Sequence, residues 1–114
     1  MSERSHVTSH VLDSTLGRPA AGVHVTLEQH EAGEWHPIGD ATTDADGRVT
    51  ALGPVSLRPG LYRVGFDTGA YWAAQQVDTF YPEVQITFDL ADADAHYHVP
   101  LLLSPFAYST YRGS

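Results

Sequence analysis

The sequence predicts an all-β fold, a sandwich or barrel of about eight short strands with one short helix. Two patterns carry that expectation. Apolar and polar residues alternate over short spans, as in Val23, Val25 and Leu27 against His24, Thr26 and Glu28. That is the period of a strand with one buried and one wet face. Turn-forming residues then interrupt these spans repeatedly, at Asp44-Ala-Asp-Gly47, Leu57-Arg-Pro-Gly60 and Ser104-Pro105.

Taken in order, residues 7–13 read as a first strand, closed by the turn Thr15-Leu-Gly-Arg-Pro19. The alternating stretch from Val23 is the second, and Glu31-Ala-Gly-Glu34 is its hairpin loop. Residues 35–43 form a third, which Pro37 interrupts or places at a sheet edge. Arg48 opens a short fourth segment ending near Gly53-Pro54. Tyr62, Val64 and Phe66 share one face of a fifth. Residues 68–76 are the one helical stretch, with Thr68 as cap and alanines and glutamines as good helix formers. Val84, Ile86, Phe88 and Leu90 give the clearest alternation, and an acidic turn, Ala91-Asp-Ala-Asp94, follows. Residues 97–103 and 106–111 form a buried terminal hairpin broken at Ser104-Pro105.

The chain of 114 residues suits one domain, residues 1–114, and is too short for two good cores. With 42% hydrophobic and 18% charged residues it has the composition of a globular protein. A net charge of −8 argues against nucleic acid or an anionic membrane surface as partner. It leaves room for a small anionic substrate, because one arginine can dominate a pocket. The absence of cysteine removes disulfides, thiolate metal sites and a cysteine nucleophile. The N-terminus, Met1-Ser-Glu-Arg-Ser-His6, lacks the basic-then-apolar pattern of a signal peptide, and no apolar run approaches a membrane span. The expected location is the cytoplasm.

Alternation also sorts the polar groups. If Tyr97, Val99, Leu101 and Leu103 face the core, the outer face shows His10, Leu12, His98, Pro100, Leu102, Ser109 and Tyr111. That face holds no Lys, Glu or Asp. Two readings fit it. One is burial against another subunit. The other is a strand, Leu101-Leu-Leu103, buried on both sides.

Specific motifs accompany this face. Ser9-His-Val-Leu-Asp13 with Gly17-Arg-Pro-Ala20 resembles the N-terminal signature of the transthyretin-like family. Phe80-Tyr-Pro82 and His96-Tyr-His-Val-Pro-Leu-Leu-Leu-Ser-Pro105 resemble further parts of it. The ending Tyr111-Arg-Gly-Ser114 is similar to that of the family's enzyme branch, the 5-hydroxyisourate hydrolases, and not to the hormone carrier.

The resemblance implies a transthyretin-like sandwich of two four-stranded antiparallel sheets with a short helix after the fifth strand. It implies a homotetramer, a dimer of dimers, with active sites at the dimer–dimer interface. It carries the catalytic roles to His10, Arg48, His98 and Ser114, and substrate binding to His10, Arg48, Tyr111 and Arg112. The implied reaction opens the ring of 5-hydroxyisourate, a purine-derived small molecule, with no cofactor.

Such a hydrolysis needs an activated water, stabilisation of an oxyanion and a proton for the leaving nitrogen. Histidine suits the proton steps, its ordinary pKa being about 6.5. Arg48 offers a planar donor set for a ring carrying carbonyls. The Arg112 guanidinium and the Ser114 groups are placed to orient a histidine or hold substrate. On this reading His98 activates water while His10 orients or protonates.

Plainer readings stand beside these. His6, His24, His30 and His36 match no motif and read as surface residues. His96 shares a face with His98. His10, His96 and His98 together suggest zinc, yet the motifs hold no fourth ligand, so no metal is assigned. Asp44/Asp46 and Asp92/Asp94 read as loop solubilisers too short for a calcium loop. Ser109 and Ser114 lack a nucleophile-elbow context. The alternatives to an enzyme are a carrier of a small aromatic ligand in the tetramer channel and a generic β-sandwich interaction module.

Overall fold

The computed structural model describes residues 4–114. The N-terminal stretch read above as lacking a targeting signal therefore lies partly outside the described residues. Among these residues no helix is long and apolar enough to cross a membrane.

The chain runs β1 (Val7–Asp13), β2 (Arg18–Pro19), β3 (His24–Glu31), β4 (Glu34–Thr42), β5 (Arg48–Val49), β6 (Gly60–Phe66), α1 (Thr68–Ala73), β7 (Val84–Leu90), β8 (Tyr97–Ser104) and β9 (Ala107–Thr110). One sheet has the order β2-β1-β8-β9, with β5 also on β1, and the other is β4-β3-β6-β7. β2 pairs with Leu12 and Asp13, β5 with Ser9 and His10. β8 holds the other edge of β1, so the two short strands share one position and the sheet is four strands wide.

Both sheets turn their alternating apolar residues inward, and these meet in one core. Val7, Val11, Leu101 and Leu103 come from the first sheet; Val25, Leu27, Tyr62, Val64 and Phe66 come from the second. Trp72 of α1 joins them and is 2% exposed. The all-β sandwich expected from the alternation is therefore the observed fold, and its two sheets, each four strands wide, match the arrangement that the resemblance implies. One pairing departs from the antiparallel pattern: β1 and β8 run parallel, with Thr8 beside His98 and His10 beside Pro100. β4 lies at a sheet edge, where the register shifts opposite Pro37, because proline has no N–H to give the ladder.

Four local expectations need correction. Asp67, not Thr68, caps α1: its Oδ1 accepts the Ala70 N–H at 3.2 Å. Thr68 is buried and donates to the Tyr81 carbonyl at 2.7 Å. The helix ends at Ala73, and Gln76 already has φ of 58°, a value that breaks a helix. The terminal hairpin is buried along β8 only, since every residue of β9 is exposed. His6 is no surface residue. It is buried, its Nε2 donating to the Ala95 carbonyl at 2.7 Å and its Nδ1 accepting the Leu57 N–H at 2.8 Å.

Asp13 ends β1 fully buried. Oδ1 accepts the N–H groups of Thr15 and Leu16 at 3.0 and 3.1 Å, and Oδ2 accepts the Tyr71 hydroxyl at 2.8 Å. Burial, reinforced by the Asp13 hydrogen bond and charge, raises the Tyr71 phenol above its usual value. A raised folded-state value gives stability that is complete below the unfolded value of about 10 and lost as pH climbs through the folded one. Tyr71→Phe is expected to be less stable at neutral pH by about 1–3 kcal/mol. Melting curves should then show the gap to the wild type narrowing above about pH 10; a constant gap would contradict this account.

Candidate active site

The groups with chemistry to offer gather on the outer face of the first sheet. The Asp44–Gly47 turn sets one side of the site. Gly47 has φ of +73°, and a Cβ there would collide with the Val11 carbonyl oxygen. Glycine is therefore what lets the turn close on β1, where the Val11 N–H donates to the Gly47 carbonyl at 2.8 Å. Asp44 Oδ1 accepts the N–H groups of Arg48 and Asp46 at 3.0 and 2.8 Å. These bonds, that to Arg48 first, hold its carboxyl below the usual carboxylate range. The turn delivers Arg48 to the position paired with His10.

His10 is fixed by the same turn. Its Nε2 lies 2.9 Å from the Asp46 carbonyl oxygen. A carbonyl only accepts, so Nε2 carries the proton and Nδ1 is the nitrogen left for chemistry.

His98 is presented by β8 and held on two sides. Its Nδ1 lies 2.8 Å from Thr8 Oγ1. Its carbonyl accepts the Gly113 N–H at 2.9 Å, in a bridge that continues the β8–β9 register. Burial lowers the His98 imidazole below its ordinary value, and the charges of His10, Arg48 and Arg4 lower it further. His98 is thus neutral at pH 7 and able to take a proton. His96 meets the same hydroxyl, its Nε2 2.9 Å from Thr8 Oγ1. It is lowered likewise, by burial first and then by Arg4, His98 and His6.

A cleft of about 140 Å³ is bounded by Arg48, Thr50, Thr8, His96, His98 and Ser114, with Arg4 at its rim. The structure thus brings Arg48, His98 and Ser114 together, with His10 beside Arg48. It does not bring Tyr111 and Arg112 to the same hollow. They line an adjoining one of about 260 Å³ with Ile86, Phe88 and Tyr97, and His98 borders both. The Arg112 guanidinium sits 4.4 Å from the centre of the Tyr97 ring. The three-histidine zinc grouping is not assembled among the described residues.

Thr8 and Arg4 went unforeseen in the sequence. Thr8 lies two residues before His10 and so shares its face. Its partnership with His98 depends on the parallel β1–β8 pairing, which alternation within a strand does not reveal.

These features define a β-sandwich with a histidine–arginine cleft on one outer sheet face. A family model described as HIUase/Transthyretin matches residues 7–113. A 5-hydroxyisourate hydrolase of Salmonella dublin is 49% identical over 106 residues, covering 92% of this chain and 78% of that one. A 5-hydroxyisourate hydrolase of Mus musculus is 42% identical over 115 residues and 98% of each chain. Among solved structures, the Klebsiella pneumoniae 5-hydroxyisourate hydrolase superposes with a TM-score of 0.83 at 35% identity, covering 95% of this chain and 98% of that one. Transthyretin from Sparus aurata superposes with a TM-score of 0.90 at 36% identity, covering 96% and 97%. The chain belongs to the HIUase/Transthyretin family. The backbone alone does not separate a transthyretin from a 5-hydroxyisourate hydrolase, since both superpose well; the site must do so.

Proposed function

We propose that this chain hydrolyses 5-hydroxyisourate to 2-oxo-4-hydroxy-4-carboxy-5-ureidoimidazoline, a step of urate breakdown. The observation that carries the reading is a half-buried imidazole, His98, held below its ordinary pKa and sharing one cleft with Arg48 and Ser114. Sequence relatives named for this activity support it.

In the proposed reaction His98 Nε2 takes a proton from water as the water oxygen bonds to the ring carbonyl carbon. Arg48 donates to the oxygen that becomes negative. The C–N bond breaks and the leaving nitrogen takes up the proton. His10 orients the reacting groups through the lone pair of Nδ1, the nitrogen that Asp46 leaves free, and protonates only after that nitrogen has itself taken up a proton. Ser114 acts beside His98 in the cleft, and Tyr111 and Arg112 bind substrate with His10 and Arg48.

The proposal extends to the assembly. Residues 1–114 act as one domain in a cytoplasmic homotetramer, with sites between stacked dimers. Exposed Phe106 and Tyr108 and the half-buried Leu12 and Leu102 support burial against other subunits, and sedimentation tests the assembly. Two hollows of about 420 Å³ elsewhere on the protomer have no paired imidazoles and add nothing to this reading.

A coupled assay tests the activity. Urate oxidase generates the unstable substrate in place, and its absorbance decays with and without this protein. Marked acceleration is expected; an unchanged decay sinks the hydrolase reading and leaves the carrier reading.

A further inference from the structure

Thr8 Oγ1 stands between two imidazole nitrogens, 2.8 Å from His98 Nδ1 and 2.9 Å from His96 Nε2, and Thr8 is 5% exposed. No other partner of this hydroxyl is present among the described residues. A hydroxyl has one proton to give and lone pairs with which to accept. The short chain of contacts therefore runs in one of two directions. If His96 Nε2–H donates to Thr8, the Thr8 proton goes to His98 Nδ1. The His98 proton must then sit on Nε2, and that nitrogen cannot act as a base. If His98 Nδ1–H donates to Thr8, the Thr8 proton goes to His96 Nε2. The lone pair of His98 Nε2 is then free.

We propose that Thr8 and His96 are positioning residues that hold His98 in its Nδ1–H form, so that Nε2 is the general base. The inference rests on the hydrolase reading for its purpose and on the Thr8 geometry for its substance. The direction of the chain also suits the charged state. When His98 takes a proton from water, both its nitrogens carry hydrogen, and Nδ1–H goes on donating to Thr8 without rearrangement. The reverse direction would require the Thr8 hydroxyl to turn at every turnover.

The surroundings favour a neutral His96 as the acceptor at the end of the chain. Arg4 faces it from the segment before β1, His6 from the same segment and His98 from β8. His98 itself is faced by His10 from β1, Arg48 from β5 and Arg4, and Ser114 borders the same cleft. The Arg4 and Arg48 guanidinium groups disfavour a positive charge on these rings, and a charge on one histidine disfavours a charge on its neighbour. A neutral His96 keeps one unprotonated ring nitrogen with which to accept, the role the proposal gives to Nε2. His96 lies one residue before β8 and both its ring and that of His98 reach Thr8, which the parallel register sets beside His98.

Two measurements test this. Imidazole ¹⁵N shifts of the full wild-type chain, recorded above the His98 titration, report its tautomer directly. The Nδ1–H form is expected for His98, and the Nε2–H form would overturn the proposal. This readout needs no turnover, so it stands even if the coupled assay finds the protein inactive. The second measurement is kinetic. Thr8→Val should lower kcat by about 100-fold with KM within about threefold, and its acid limb should move to lower pH, because the His98 cation loses its acceptor. Thr8→Ser should recover to within about threefold of the wild type. Unchanged kcat in Thr8→Val, or Thr8→Ser as impaired as Thr8→Val, would make Thr8 a packing residue and overturn the role.

Discussion

A chain lacking residues 111–114 is expected to keep its far-ultraviolet circular dichroism and lose turnover by at least about 100-fold. The four residues lie beyond β9 and contribute nothing to the hydrophobic core, so the fold has little to lose. The site has much. Gly113 N–H donates to the His98 carbonyl, and a Cβ at Gly113 would lie 2.5 Å from His98 Cδ2. The segment therefore lies against the ring that it helps to hold, with Ser114 at the cleft. Gly113→Ala is a finer version of the same test. The added methyl must push the ring or the segment away, and a substantial loss of kcat at unchanged melting temperature is expected. Near-normal rates in both proteins would show that the ending marks the family without serving the site.

His98→Asn carries the other large effect. General-base catalysis contributes about 10²- to 10⁴-fold, and a loss of that order is expected, with folding preserved. The pH–rate profile gives the sharper reading. In the wild type the rate should fall as pH drops through the His98 value, which burial and neighbouring cations set below the ordinary imidazole value. His98→Asn should lose that limb. His10→Asn should keep it while losing rate, because the proton removed from water still goes to His98. If either variant retained near-normal turnover, the two-histidine mechanism would be wrong.

The same direction of shift has a stability counterpart. His96 and His98 take up protons more readily unfolded than folded. Their contribution is complete above the unfolded value of about 6.5 and declines as pH falls through and below it.

Much of the sandwich was legible because a strand with one buried face writes a period of two into its sequence. β1 was bounded correctly and its face with His10 was found, as was the face of β8 with His98. Pro37 marked an edge because it removes a donor. What stayed hidden depends on contacts between distant segments. His6 looks like a solvated terminus residue until the Ala95 carbonyl and Leu57 N–H come to it from 89 and 51 residues away. The exposure of β9 was missed because its apolar residues look like core in a lone chain. Thr8 was missed for the most instructive reason: its importance comes from a parallel neighbour, and no property of β1 names that neighbour.

That parallel pairing has a consequence for how the protein becomes competent. Thr8 and His98 are separated by 90 residues, so their contact closes a loop that contains almost every other element. Such closure is entropically costly and slow to be repaid. The second sheet can form its hairpins from neighbouring segments, whereas the Thr8–His98 contact exists only after the two ends of that long loop have met. Under the proposed mechanism, activity would thus report completed topology: a chain that has collapsed and built its local strands would still lack the contact that holds the proposed base.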